Sequence, residues 1–134
     1  MSRVLLDTTY LVDAERSGSD LDQAIDDEDD VAIAAVTVAE LRVGALMATG
    51  KRRTARFAFV DDVVRALDIV DYDVDVAEAH AELLVAVRSQ GRPRGAHDLI
   101  IAASALATDR DVVSADSSGF RDLPGVRTRI VRSD

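Results

Sequence analysis

Asp7, Glu40, Asp98 and Asp116 stand where strands should end or helices begin, in VLLDTT, VTVAELRVGA, GAHDLIIAAS and VVSADSSGF. Carboxylates crowded at one end of a parallel sheet repel one another unless a cation holds them, so the set suits a divalent metal and phosphate chemistry. Each acid also has a plainer reading. Asp7 could begin a turn or cap the next helix, although Thr8 and Thr9 stand ready for that role. Thr37-x-x-Glu40 matches a capping box, in which the glutamate reaches back to the first amide of its helix, and taken singly this is the stronger reading of Glu40. Asp98 opens the helix HDLIIAASALA, where the helix dipole favours an acid. That helix is apolar nearly all round, so its start lies near the core, where an unpaired carboxylate is costly. Asp116 follows DVVSA with Ser114 two residues before it, and loop aspartates are common. All four at sheet-end positions are harder to dismiss than any one.

The other acidic stretches carry less. Asp26-Asp27-Glu28-Asp29-Asp30 reads as a solvated connection. Asp71, Asp73 and Asp75 with Glu82 echo a calcium loop, but its sixth position is Val76 rather than glycine and the segment turns helical near Val74. His80 belongs on a helix surface. His97 adjoins Asp98 and could touch a substrate. Two histidines 17 residues apart form no zinc motif.

Short apolar runs alternating with helical patterns imply a parallel α/β sheet. Residues 2–6 read as a strand, followed by a helix to about Arg16 and a short helix over 20–26. Residues 31–36 (VAIAAV) are continuously apolar, as in a strand buried on both faces. Helices are expected over 37–49, stopped by Gly50, and over 52–67. A strand at 68–72, helices at 74–89 and 97–107, a strand at 111–115 and an edge-like strand at 126–131 complete the chain. With 134 residues, 48% of them hydrophobic, a single folded domain is expected. The absence of cysteine excludes disulfides, thiolate metal sites and a cysteine nucleophile. No signal peptide and no run of about 20 apolar residues is visible, so a soluble cytoplasmic protein with no membrane partner is the expectation. The net charge of −9, at a pI near 4.6, argues against a non-specific nucleic-acid coat. It does not argue against an acidic site that cuts nucleic acid.

VLLDTTYLVDA, TVAELRVGA, RPRGAHDLIIAASALA and VVSADSSGFRDLPGV, in that order, resemble the successive signatures of PIN-domain ribonucleases, and more narrowly the VapC-type toxins of toxin–antitoxin pairs. The likeness covers essentially the whole chain. It implies a three-layer α/β/α sandwich around a central parallel sheet of strand order 3-2-1-4-5. It further implies an endoribonuclease dependent on Mg2+ or Mn2+, usually homodimeric and held in check by a small antitoxin protein. Cleavage of tRNA, rRNA or mRNA by such a toxin inhibits translation and growth, and the family leaves 5′-phosphate and 3′-hydroxyl ends. The family's acidic quartet falls on Asp7, Glu40, Asp98 and Asp116, as catalytic residues and metal ligands. The accessory hydroxyl before the last acid is Ser114, where threonine is more usual. Thr9, beside Thr8, stands where many relatives have asparagine or serine, and Gly119 where some carry a further acid. Oxygen ligands select a hard cation, which orients and activates water for in-line attack on a phosphodiester.

For RNA, Arg92 and Arg94 before Asp98 and Arg42 beyond Glu40 are the candidate phosphate contacts, each weighed against ordinary surface solvation. Leu41, Ala45, Leu46, Phe57, Phe59 and Val60 exceed what one buried face needs, leaving some for an antitoxin or a dimer contact. Two alternatives remain. A phosphoacceptor receiver domain needs a lysine late in the chain, and Lys51, the only lysine, comes too early. A catalytically silent PIN-like binding module would have no need of all four acids.

Overall fold

A computed structural model describes residues 1–18, 28–91, 94–116 and 118–131. The expected short helix at 20–26 and Arg92 lie outside the described residues. Strand β1 (Arg3–Leu6) leads into helix α1 (Thr8–Ser17). Then come β2 (Asp30–Ala34), α2 (Ala35–Met47), α3 (Gly50–Ala66) and β3 (Asp68–Val70). α4 (Val74–Gln90), α5 (Ala96–Ala107), β4 (Asp111–Ser114) and β5 (Thr128–Ile130) follow. The strands form one sheet in the order β3-β2-β1-β4-β5, every pairing parallel, as in the expected α/β/α sandwich. β1 therefore lies between β2 and β4, whereas a receiver domain places β1 beside β3, so that alternative is excluded.

Alternation along the strands explains the continuous apolar runs. Leu5, Ala32, Ala34 and Val112 point to one face and pack on Val76, Leu83 and Val87 of α4 and on Leu99 and Ile101 of α5. Val4, Leu6, Ile33 and Val113 point to the other and pack on Leu11, Leu41, Val60 and Val63 from α1, α2 and α3. Both faces of the sheet are covered, so the strands need apolar residues at every position. Arg110, only 8% exposed, ties the sheet at its amino-terminal end: its Nη1 donates to the carbonyls of Val4 (3.2 Å) and Asp30 (2.8 Å) and to Asp30 Oδ1 (3.1 Å).

Two element boundaries differ from expectation in ways that matter. β2 runs straight into α2, which begins at Ala35 rather than Thr37. Gly50 does not stop α2, which ends at Met47; it opens α3 with φ +59°, a left-handed conformation that glycine takes without strain. Of the surplus apolar residues, Leu41, Ala45 and Val60 are core, while Leu46 is 56% exposed. Among the described residues no helix is long and apolar enough to cross a membrane.

Candidate active site

Because the strands are parallel, the carboxyl ends of β1, β2 and β4 share one edge of the sheet, where open α/β folds place their ligands. Asp7 leaves β1 with its amide still in the ladder, donating to Val113 O at 2.9 Å, and its residue is 2% exposed. Asp7 itself is the N-cap of α1, its Oδ1 accepting from the Tyr10 amide at 2.9 Å. The expectation that Thr8 or Thr9 would cap is thus corrected. Both lie inside the helix, and the short extended residue just before it is the one that reaches the third amide. The two hydroxyls serve carboxylates instead. Thr9 Oγ1 lies 2.9 and 3.0 Å from the two oxygens of Asp7, and Thr8 Oγ1 donates to Glu40 Oε1 at 2.7 Å.

The early start of α2 removes the capping box. Ala34 is the N-cap without a side-chain bond, and Thr37 is fully buried two residues into the helix. Glu40, one turn and a half along, faces the sheet edge, with Oε2 at 3.2 Å from His97 Nδ1 of α5. Thr8 and His97 together hold it between two helices.

Asp98 enters from the first turn of α5, whose N-cap Gly95 offers no side-chain bond. Its carboxyl binds protons more tightly than an ordinary aspartate, first because it is partly buried and then because Glu40 and Asp116 are negative; His97 opposes this. Asp7 shifts the same way, chiefly through burial and slightly through Asp98, although its bonds from Tyr10, Ser114 and Thr9 resist. A Cβ at Gly119 would stand 2.9 Å from Asp98 Oδ2, so the place where some relatives carry another acid is closed here by Asp98 itself.

Ser114, fully buried at the end of β4, joins the first acid to the last. Its hydroxyl lies 2.8 Å from Asp7 Oδ2 and 2.9 Å from the Asp116 carbonyl, and it accepts from the Asp116 amide at 3.0 Å. Asp116 is exposed, and its Oδ1 accepts from the amide and hydroxyl of Ser118 at 2.9 and 2.8 Å.

All four acids line one cleft of about 370 Å³, shared with Thr8, Thr9, Asp13 and Arg16. Asp13 and Arg16 are additions that sequence reasoning missed. The signal was available, since Thr9, Asp13 and Arg16 follow the i, i+4, i+7 spacing of one helix face. Of the arginines chosen from sequence, the two among the described residues, Arg42 and Arg94, do not line this cleft. Arg42 Nη2 stands 3.7 Å from Asp61 on α3, and Arg94 Nη2 donates to Arg121 O at 2.5 Å. Among the described residues no three acidic or histidine side chains close on a single point.

The sequence profile of the PIN domain matches residues 4–126. Ribonuclease VapC5 of Mycobacterium tuberculosis is 37% identical over 122 residues, spanning 90% of this chain and 87% of the relative. VapC ribonuclease Y4jK of Sinorhizobium fredii is 37% identical over 92 residues, 66% of either chain. VapBC-5 from Mycobacterium tuberculosis, a member of the VapBC family of toxin–antitoxin systems, has a solved structure similar to this one. Its TM-score is 0.79 at 31% identity, over 99% of this chain and 100% of that one. VapBC2 from Rickettsia felis, bound to a DNA fragment from their promoter, shares the fold at a TM-score of 0.83 and 22% identity, over 96% and 98% of the two chains. With its sheet order, its acidic cleft and a profile match across nearly its whole length, the chain belongs to the PIN-domain family.

Proposed function

We propose that this protein is an endoribonuclease, the toxin of a toxin–antitoxin pair, and that Asp7, Glu40, Asp98 and Asp116 hold Mg2+ or Mn2+ for hydrolysis of RNA phosphodiester bonds. The carrying observation is that four carboxylates from separate segments line one cleft at the carboxyl edge of a parallel sheet, with Asp7 and Asp98 both displaced toward the protonated form. Negative charge left uncompensated in this way favours a cation. The donors are all oxygens, the chemistry of a hard divalent ion. Their fit lies in charge and donor type, since the side chains as placed do not converge on one point. The ribonuclease names of the relatives and the toxin–antitoxin complexes among the similar structures support the reading.

When bound, the cation supplies activated water and neutralises developing phosphate charge. The protein's own part is orientation. Thr9 and Ser114 fix both oxygens of Asp7, while Thr8 and His97 hold the two oxygens of Glu40. Asp98, third in α5, brings its charge in through a helix start that has glycine on either side of the carboxyl.

Purified protein incubated with structured tRNA, rRNA and mRNA fragments should cleave at least one in Mg2+ or Mn2+ and none in chelator. A folded Asp98→Asn variant should be inactive and, without metal, at least as stable as the wild type. Full activity in that variant, or cleavage indifferent to chelator, would overturn the assignment. Co-expression with a small partner protein that binds and silences cleavage tests the toxin reading separately.

A further inference from the structure

The chain has 25 acidic residues, yet none falls between Leu41 and Val60. That stretch holds Arg42, Lys51, Arg52, Arg53 and Arg56, and the last four lie within the first seven residues of α3. Folding turns this bias in sequence into one in space. Val12, Arg16 and Glu40, which wall the acidic cleft, also wall a second hollow of about 110 Å³ that reaches Gly44 and Arg56. Gly44 and Arg56 in turn wall a third, of about 440 Å³, which extends to Met47 and Arg52. The shared walls make one groove, running from the acids between α1 and α2 to the start of α3.

Three guanidinium groups stand along it. Arg52 and Arg56 are four residues apart and so share one face of α3. Arg56 is held in place, its Nη1 donating to Gly44 O at 3.0 Å and its Nε at 3.7 Å from Glu15, whose charge it offsets. Arg16 and Arg52 are exposed and make no hydrogen bond or ion pair among the described residues. At Gly44 an added Cβ would meet nothing within 4 Å, so the middle of the groove is open.

An acidic cleft by itself repels a polyanion, and a line of cations leading into it offsets that repulsion. We propose that this groove is a phosphate track. An RNA strand cut at the acidic cleft continues along α1, α2 and α3, its backbone held first by Arg16, then by Arg56 and Arg52. Arginine suits the task through paired N–H donors to phosphate oxygens. Contacts of this kind set position and length of the bound strand rather than base identity, in keeping with an aromatic content of only 4%. The track rests on the ribonuclease reading and extends it to the strand beyond the scissile bond.

The test compares the whole protein with Arg52→Gln, Arg16→Gln and the double variant, using fluorescein-labelled single-stranded RNA long enough to fill the groove. Anisotropy in chelator measures binding, and cleavage in Mg2+ measures KM and kcat. Each substitution should weaken binding and raise KM roughly 3- to 10-fold, with most of the loss in KM rather than kcat. Each should also lower the slope of log affinity against log salt by about 0.7, the value for one phosphate contact on a single strand. Arg52→Lys should restore the salt slope, because it restores the charge. The penalty should shrink on a trinucleotide, which cannot leave the cleft. If the wild type cleaves RNA while the double variant, folded by circular dichroism, keeps its affinity, KM and salt slope, the track is wrong and the ribonuclease reading stands. If RNA binds through these arginines but is not cleaved, the reverse holds. Variants that lose a protein inhibitor but not RNA would give the groove to that inhibitor and overturn the track.

Discussion

Replacing Asp7 by alanine and by asparagine separates two roles held by one carboxylate. Alanine removes the acceptor for the Tyr10 amide, an N-cap worth about 1 kcal/mol with a range of roughly 0.5–2. The hydroxyls add little to that loss, because Ser114 keeps the Asp116 carbonyl at 2.9 Å and Thr9 keeps Ser114 at 3.1 Å. Part of the cost is offset, since the deleted carboxylate was opposed by burial and by Asp98. The net expectation for Asp7→Ala is a loss of about 1 kcal/mol, or roughly 3–5 °C in Tm for a chain of this size. Asparagine caps as well as aspartate. Its oxygen keeps Tyr10, and its amide can donate to the Ser114 and Thr9 hydroxyls, which accept as readily as they donate. With the charge gone, metal-free Asp7→Asn at pH 7 should equal or exceed the wild type, while cleavage falls by roughly 100-fold or more, about 2.7 kcal/mol of barrier. Urea unfolding followed by circular dichroism in chelator, beside RNA cleavage in Mg2+, reads both quantities. An asparagine variant as unstable as the alanine one would refute the account of capping and charge. One that cleaves like the wild type would refute the ligand role.

Asp7 and Asp98 both bind protons more tightly in the folded chain than the ordinary carboxylate value of 3.8. From that value up to the raised one, the folded state holds more protons than the unfolded state, so their contribution to stability falls as pH rises through the window and stays low above it. The urea midpoint of chelated wild type, relative to Asp98→Asn, should therefore decline as pH climbs from about 4 to neutrality; a rise would contradict the shift. Gly119→Ala would place a Cβ 2.9 Å from Asp98 Oδ2, so the carboxyl must move. Cleavage should drop about tenfold with stability changed by no more than about 1 kcal/mol, and unchanged kinetics would show that the position of Asp98 is not critical. Arg110→Gln, at the opposite end of the sheet, should cost about 2 kcal/mol in chemical unfolding. That is less than a fully buried pair because Asp30 is 25% exposed. Its kcat should stay intact, and a loss of activity in the folded variant would show that the two ends of the sheet are coupled.

Much of the fold is visible in pattern alone. VAIAAV reads as a buried strand because each alternate side chain meets a helix layer, and β2 does occupy most of it, at Asp30–Ala34. The pattern fails at the junction. Ala35 and Val36 continue the apolar run, but they already belong to α2, which is packed near the core from its first turn. An apolar run cannot mark where a buried strand becomes a buried helix. That two-residue shift decides the role of Glu40, since with Thr37 inside the helix no capping box exists. Nearness in sequence is a poor guide to where a side chain reaches for a related reason. Arg42 is two residues from Glu40, but two residues along a helix is about 200° around it, and the Arg42 side chain lies beside Asp61 of α3.

The sequence by itself determined that four acids would come together at one end of a parallel sheet. Strand and helix periods are local, and parallel pairing then brings the carboxyl ends of the strands to one edge whatever the details. Only the tertiary structure decided what each acid does there: Asp7 caps α1 while held by Thr9 and Ser114, Glu40 bridges Thr8 and His97, and Asp98 closes the space beside Gly119. These partners lie up to 107 residues apart. A carboxylate's charge state and orientation are set by neighbours through space, and the chain names those neighbours only once it has folded.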